Sequence, residues 1–224
     1  MSAHVLGTRL AWGRLRSRPT LLSFGFALIL IALVALFERL YERAFAVDRT
    51  LTGVVFGLCV PLYCYALFEI ATGRDTLLGS ITALSRQGAP RPALAAGLIA
   101  TTMALAAAGS ALLGVSAVML TRGASDPRLV ADAGSVAWIG ALGGAGYAGA
   151  FALGSSFRRG RLWFLLADWL LGASTGFLAL PWPRGHIRNL LGYSPVLDLS
   201  QRSAALALLV LIITAFLASR RLPA

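Results

Sequence analysis

The chain has 224 residues, of which 58% are hydrophobic and 13% are charged, and its mean hydropathy is +0.77. Soluble domains carry about 25% charged residues, so this composition excludes an ordinary soluble protein and favours one membrane-embedded domain, residues 1–224. The net charge of +11 comes from 20 Arg residues in scattered short segments. Because they form no basic stripe, no nucleic-acid partner is expected.

Six apolar stretches are long enough to cross a membrane, because a hydrocarbon core of about 30 Å needs roughly 20 apolar residues in a helix. Backbone polar groups in lipid must be paired internally, which favours helices. The sequence therefore predicts an all-α polytopic membrane protein with six transmembrane helices. The predicted spans are Leu21–Phe37, Leu51–Ala71, Ala93–Leu120, Gly134–Phe157, Leu162–Leu180 and Ser203–Ser219.

The segment 1–20 before the first span mixes apolar residues with four Arg residues and ends near Pro19. Trp12 within this segment favours the headgroup level of a membrane, where indole rings are enriched. The segment is therefore predicted to form an interfacial helix on the inner leaflet. The alternative is a positively charged flank with no fixed structure.

The segment 72–92 between the second and third spans is too polar to cross the membrane. Gly73 interrupts the second span, and Pro90 and Pro92 precede the third. A short amphipathic helix from Asp75 to Arg86 is predicted on the cytoplasmic surface. Its apolar side would carry Leu77, Leu78, Ile81 and Leu84.

Two acidic residues, Glu69 and Asp168, lie within predicted spans. Glu69 ends the second span within reach of Arg74 or Arg86, and such an ion pair would anchor the surface helix to the span. Asp168 lies roughly 10 Å into the fifth span at 1.5 Å per residue. A carboxylate in lipid usually faces a partner or a pathway, so Asp168 is either a structural hydrogen-bond acceptor or a functional site.

The fourth span contains many glycines, among which Gly140 and Gly144 form a small-xxx-small pair. Such pairs allow two helices to approach closely. Packing within one subunit is the first interpretation, and a moving interface or a dimer contact is the second.

The segment 181–202 follows the fifth span and contains Pro181 and Pro183, which prevent one continuous helix. Its leucines are too apolar for a loop in water. We expect short half-helices that enter the outer leaflet again, a re-entrant segment that is tolerated only where protein covers the backbone.

The charge pattern predicts that both termini are cytoplasmic. Twelve Arg residues lie in the segments on the side of the termini and eight lie on the other side, and basic residues near span ends are retained in the cytoplasm. Without Lys, a standard phosphate-binding loop is impossible, so the chain is not expected to be an enzyme that hydrolyses nucleotide itself. Neither a metal site nor a bound cofactor is expected in this chain.

The order of these parts resembles the type 2 exporter class of ABC transporter permeases. The resemblance covers nearly the whole chain and includes FEIATGRDTLLGSITALSRQGAPRPALAAG, HIRNLLGYSPVLDLSQRSAALALL and the closing LASRR. It implies that residues 75–86 form a coupling helix on a separate ATPase subunit, present in two copies, which binds ATP and Mg²⁺. It also implies a second permease, expected to be an identical copy, and a place among the lipids of the bacterial cytoplasmic (inner) membrane.

Three alternatives remain open at this point. A haem-exporter-like permease has a similar length and six spans. A secondary transporter would use Asp168 as a proton site, although no internal repeat supports one. A membrane scaffold that works without an ATPase requires no motif.

Overall fold

The structure is a computed structural model that describes residues 2–41, 46–122, 125–157, 159–193 and 196–220. Regular structure in these ranges is helical, and they contain no strand. The α-helices are α1 Ala3–Leu15, α2 Arg18–Leu40, α3 Ala46–Arg49, α4 Val60–Ala71, α5 Leu77–Ser85, α6 Arg91–Arg122, α7 Leu129–Gly154, α8 Gly160–Leu171, α9 Pro183–Leu190 and α10 Gln201–Arg220.

Five helices are long and apolar enough to cross a membrane. One of them is continuous from Ala46 to Ala71, because a π-helical stretch, Thr50–Cys59, joins α3 to α4. The other four are α2, α6, α7 and α10. These five coincide with five of the six predicted spans, so the prediction of a membrane-embedded helical protein is confirmed.

The prediction of one continuous helix over residues 162–180 is wrong. Helix α8 ends at Leu171 after 12 residues, about 18 Å, and turns lead to a short 3-10 helix at Phe177–Ala179. The backbone carbonyls of Ala173 and Ser174, just past α8, accept hydrogen bonds from the Arg188 guanidinium. These two carbonyl groups, which have no partner within α8, are thus paired with a side chain.

The segment predicted to be re-entrant contains the eight-residue helix α9 and a 3-10 turn at Val196–Asp198. Helix α9 is buried at Gly185, His186 and Ile187 and packs on α7, α10 and the π-helical stretch. Protein therefore covers helix α9, whereas Leu197 and Asp198 of the 3-10 turn are exposed. Residues 194 and 195 of this segment lie outside the described ranges.

Helix α7 is the centre of the bundle, whereas α2 lies at its edge. In the most apolar 18-residue stretch of α7, 67% of the residues are buried, against 17% in the corresponding stretch of α2. Glycines on α7 allow neighbours to approach on several sides: Gly143 lies against Ile187 of α9, and Gly146 against Leu208 of α10. The exposed apolar face of α2 is consistent with contact with lipid.

The predicted glycine pair packs within the chain. A Cβ atom on Gly140 would lie 2.8 Å from the Ser110 carbonyl oxygen of α6, and one on Gly144 would lie 2.4 Å from the Ala106 carbonyl oxygen. Both distances are shorter than van der Waals contact, so these positions require glycine as long as α6 and α7 keep this spacing.

We expect Gly144→Ala to lower the free energy of unfolding by about 1–3 kcal/mol, because the added methyl group overlaps the α6 backbone. Gly134→Ala on the same helix is the matched control, since a methyl group added there would meet nothing within 4 Å. The control should be neutral or should stabilise the protein by up to about 1 kcal/mol. Thermal unfolding of both purified variants in detergent compares them, and equal stability of the two variants would contradict the packing argument.

Helix α1 packs against the beginning of α6 at backbone contact distance. A Cβ atom on Gly7 would meet the Leu94 carbonyl oxygen at 2.1 Å, and one on Gly97 would meet the His4 carbonyl oxygen at 2.3 Å. Ser17 has extended backbone angles and is followed by α2, which has Pro19 in its first turn. The prediction of a helix in this segment is confirmed.

Candidate functional site

Two buried polar clusters and one surface helix distinguish this bundle from simple apolar packing. The first, here called the Arg161 cluster, consists of Glu69, Thr72, Asp75, Ser155 and Arg161. Arg161 is only 3% exposed. Its Nε lies 2.8 Å from Glu69 Oε1, and its Nη2 donates to the Asp75 carbonyl oxygen at 2.9 Å. Its Nη1 donates to the hydroxyl of Thr72, so one guanidinium joins the end of α4, the start of α5 and the start of α8.

Local sequence explains why α5 begins at the Arg161 cluster. Gly73 and Arg74 both have positive φ, 65° and 64°, which ends α4 and turns the chain sharply. Thr76 then has extended backbone angles, and its hydroxyl accepts a hydrogen bond from the Gly79 amide at 3.0 Å. This is an N-cap, so the short helix has a defined start.

A second arginine holds α5 from the other side. Arg14 of α1 donates to the Ala71 carbonyl oxygen at 2.7 Å and to the Ser80 carbonyl oxygen at 3.5 Å. The Leu77 amide donates to the Ser155 carbonyl oxygen at the end of α7, at 3.0 Å. Helix α5 is therefore bonded to α1, to α8 and to the end of α7, and it has little freedom to move alone.

The apolar side of α5 faces the bundle. Of the four apolar side chains predicted to contact the ATPase, Leu77 and Ile81 are buried within the bundle. Leu78 and Leu84 are half-buried. Asp75, Ala83 and Arg86 are exposed. The surface open to a partner is thus the polar side, with Leu78 at its margin, rather than the apolar side that the sequence singled out.

The ion-pair partner of Glu69 differs from the expected one. The sequence proposed Arg74 or Arg86, but the structure pairs Glu69 with Arg161, far along the chain. Arg74 and Arg86 are both exposed. The signal for Arg161 was its position at the start of an apolar segment, where an arginine must either reach water or find partners.

The second group, here called the Asp168 cluster, consists of Tyr147, Asp168 and Arg184. Asp168 is 2% exposed, and its carboxylate accepts hydrogen bonds from the Tyr147 hydroxyl at 2.8 Å and from the Arg184 amide at 3.0 Å. Arg184 lies in the first turn of α9, so the carboxylate accepts from an otherwise unpaired amide and faces the positive end of the helix dipole. The geometry favours the structural role of Asp168, with Tyr147 as a partner that the sequence did not indicate.

Candidate ligands for metals are sparse in the part of the chain that the structure describes. It contains no group of three or more His, Cys, Asp or Glu side chains that could hold a metal ion. Cys59 and Cys64 are both buried free thiols. Cys64 lies 3.7 Å from the Ser110 hydroxyl, on the side of the helix that packs against α6 and α7.

Comparisons of the chain with protein-family models, with curated proteins and with solved structures found no match. The function therefore has to be inferred from the two clusters and from the surface of α5.

Proposed function

We propose that this chain is the membrane-spanning permease subunit of an ATP-driven ABC exporter of the type 2 class. In this proposal α5 is the coupling helix, which docks on a separate ATPase subunit. One observation carries the proposal: a short capped helix lies outside the five long apolar helices and is bonded to them through the buried side chain of Arg161. A passive loop would have no need of such a link.

The bonds of Arg161 give a physical route from α5 into the bundle. A force on α5 reaches Arg161 through its hydrogen bond to the Asp75 carbonyl oxygen. From Arg161 it reaches Glu69, at the end of α4, through the ion pair. The Leu77 amide transmits the same force to Ser155 at the end of α7. Because these bonds are short and mostly buried, α5 and the three helix ends move as one unit.

The exposed side of α5 is suited to a reversible docking surface. Asp75 and Arg86 place opposite charges at its two ends, and the small side chain of Ala83 lies between them. A non-obligate interface is only about as apolar as the rest of a protein surface, so docking does not require a large apolar patch here. Two ATPase subunits would bind ATP and Mg²⁺ and would engage α5 of two permease copies.

The arginine pattern supports the orientation in this proposal. Arg14, Arg86 and Arg161 belong to the segments that carry twelve of the 20 Arg residues, on the side of both termini. By the positive-inside rule we expect that side, with α5, to face the cytoplasm, and in this proposal the membrane is a bacterial inner membrane. An ATPase in the cytoplasm would then meet α5 directly.

We expect Arg86→Glu to reduce the amount of ATPase that co-purifies with the tagged chain at least tenfold, since charge reversal on a docking surface costs affinity. Arg128→Glu is the matched control, because Arg128 is also exposed but lies just before α7, at the other end of the bundle. Both variants should be present in the membrane at wild-type levels. The measurement is mass spectrometry of the complex in mild detergent, with an ATPase assay on the same sample.

Two outcomes would contradict the proposal. An equal loss of ATPase in both variants would show that the effect is not specific to α5. If the wild-type chain purifies without any ATPase, a secondary transporter or a scaffold becomes the better interpretation.

A further inference from the structure

Helix α9 brings two arginines to the π-helical stretch of the Ala46–Ala71 helix. Arg184 and Arg188 are four residues apart, so they lie on the same face of α9. Together with Thr52, Phe56 and Leu191 they line a cavity of about 50 Å³. Two like charges side by side repel each other, and an anion between them lowers this repulsion.

Among the described residues, the Asp168 carboxylate attracts Arg184 electrostatically but forms no ion pair with Arg184. Its backbone amide donates to Asp168, but its guanidinium makes no hydrogen bond or ion pair with any side chain that the structure describes. The Asp168 carboxylate is already held by the Tyr147 hydroxyl and by that amide. The charge of Arg184 therefore faces the cavity.

The backbone around the cavity leaves room for the guanidinium. A Cβ atom on Gly57 would lie 3.3 Å from Arg184 Nη2 and 2.7 Å from the Thr52 carbonyl oxygen, so a larger residue at position 57 would displace the arginine. Gly57 lies within the π-helical stretch, and π-helical turns are frequent at functional sites.

The neighbouring arginine is fixed rather than mobile. Arg188 donates to the carbonyl oxygens of Ala173 and Ser174 past the end of α8. Burial, together with the nearby charge of Arg184, lowers the pKa of Arg188. An anion between the two guanidinium groups would relieve both effects.

We propose that Arg184 and Arg188 form a binding site for an oxyanion of the phosphate class, at the junction of α9 and the π-helical stretch. The cavity of about 50 Å³ exceeds the roughly 10–15 Å³ of internal space that holds one water molecule, so it has room for a small ionic group. Guanidinium groups match the geometry of phosphate oxygens, and Phe56 and Leu191 add apolar side chains to the lining of the cavity. The phosphate belongs either to a lipid headgroup or to a free phosphate compound.

The test uses the purified full-length chain in detergent, without any ATPase, so its result does not depend on the proposed transport function. Inorganic phosphate should raise the melting temperature saturably compared with sodium chloride at equal ionic strength. Arg184→Gln should abolish this rise, and Arg184→Lys should retain part of it because the charge is kept. Arg202→Gln is the matched control, since Arg202 is exposed at the beginning of α10, and it should keep the full rise.

A second arm distinguishes the two sources of phosphate. The protein is reconstituted in phosphatidylglycerol or phosphatidylcholine bilayers, and native mass spectrometry then counts the retained lipid. One outcome is that Arg184→Gln retains less phosphatidylglycerol than wild type, while inorganic phosphate does not raise the melting temperature of wild type. This outcome would support the site and assign it to a lipid headgroup. If inorganic phosphate raises the melting temperature of wild type, and Arg184→Gln retains as much phosphatidylglycerol as wild type, the result would support a free phosphate compound. The proposal is overturned if wild type responds neither to inorganic phosphate nor to phosphatidylglycerol. It is also overturned if Arg202→Gln loses as much of the melting-temperature rise or of the retained lipid as Arg184→Gln.

Discussion

Arg161→Gln is expected to lower the free energy of unfolding by about 3 kcal/mol. The arginine is buried and bonds Glu69, Thr72 and the Asp75 carbonyl oxygen. Breaking a buried ion pair typically costs about 3–5 kcal/mol, because the remaining charge is left without its partner. Glu69 retains some exposure, which places the expected loss at the lower end of that range.

The measurement is thermal unfolding in detergent, where a loss of this size should lower the melting temperature by roughly 6–12 °C for a chain of this length. Arg159→Gln is the matched control, because Arg159 is exposed two residues away and its replacement should shift the melting temperature by less than about 2 °C. A stable Arg161→Gln variant would show that the contacts of the guanidinium are not needed to hold α5 in place.

Asp168→Ala is the second change with a large expected effect, about 3 kcal/mol of destabilisation. It leaves the Tyr147 hydroxyl and the Arg184 amide buried without an acceptor, and each unpaired group costs about 1–3 kcal/mol. Asp168→Asn should lose less than about 1 kcal/mol, because the amide oxygen accepts from Arg184 and the amide nitrogen donates to Tyr147.

The same pair of variants separates a structural Asp168 from a proton site. A structural role predicts that Asp168→Asn folds and keeps its cellular activity. It also predicts that Tyr147→Phe loses about 1–3 kcal/mol, because one oxygen of the buried carboxylate is left without a donor. A proton-coupled transporter predicts a folded but inactive Asp168→Asn variant. Thermal unfolding together with a growth or transport assay in the host membrane distinguishes these outcomes, and an inactive but stable Asn variant would overturn the structural assignment.

Five of the long helices could be predicted because hydropathy is a property of each segment by itself. The end of α8 could not be predicted in this way. Residues 162–180 are apolar enough for a span, and the chain leaves the helix because Arg188 pairs with the carbonyl oxygens of Ala173 and Ser174. That pairing is a tertiary contact, which a window of local hydropathy does not contain.

The surface helix shows the same limit for the candidate site. Its position and its apolar side were visible in the spacing of Leu77 and Ile81, and the structure has a helix there. The pattern did not reveal that the apolar side faces the bundle, since an inward face and a docking face have the same period. Glu69 was found because it ends an apolar segment, but its partner Arg161 lies too far along the chain for local spacing to indicate it.

The close contact of α1 with α6 also sets an order for assembly in the membrane. Gly7 is synthesised early, but the Leu94 backbone against which it packs emerges from the ribosome on the order of 5 to 20 s later, at about 5–20 residues per second. During that interval α1 has only the lipid surface and the first two long helices as partners. The arrival of α6 therefore gives α1 the backbone surface against which it packs, and α1 has to wait for a helix made later in the chain.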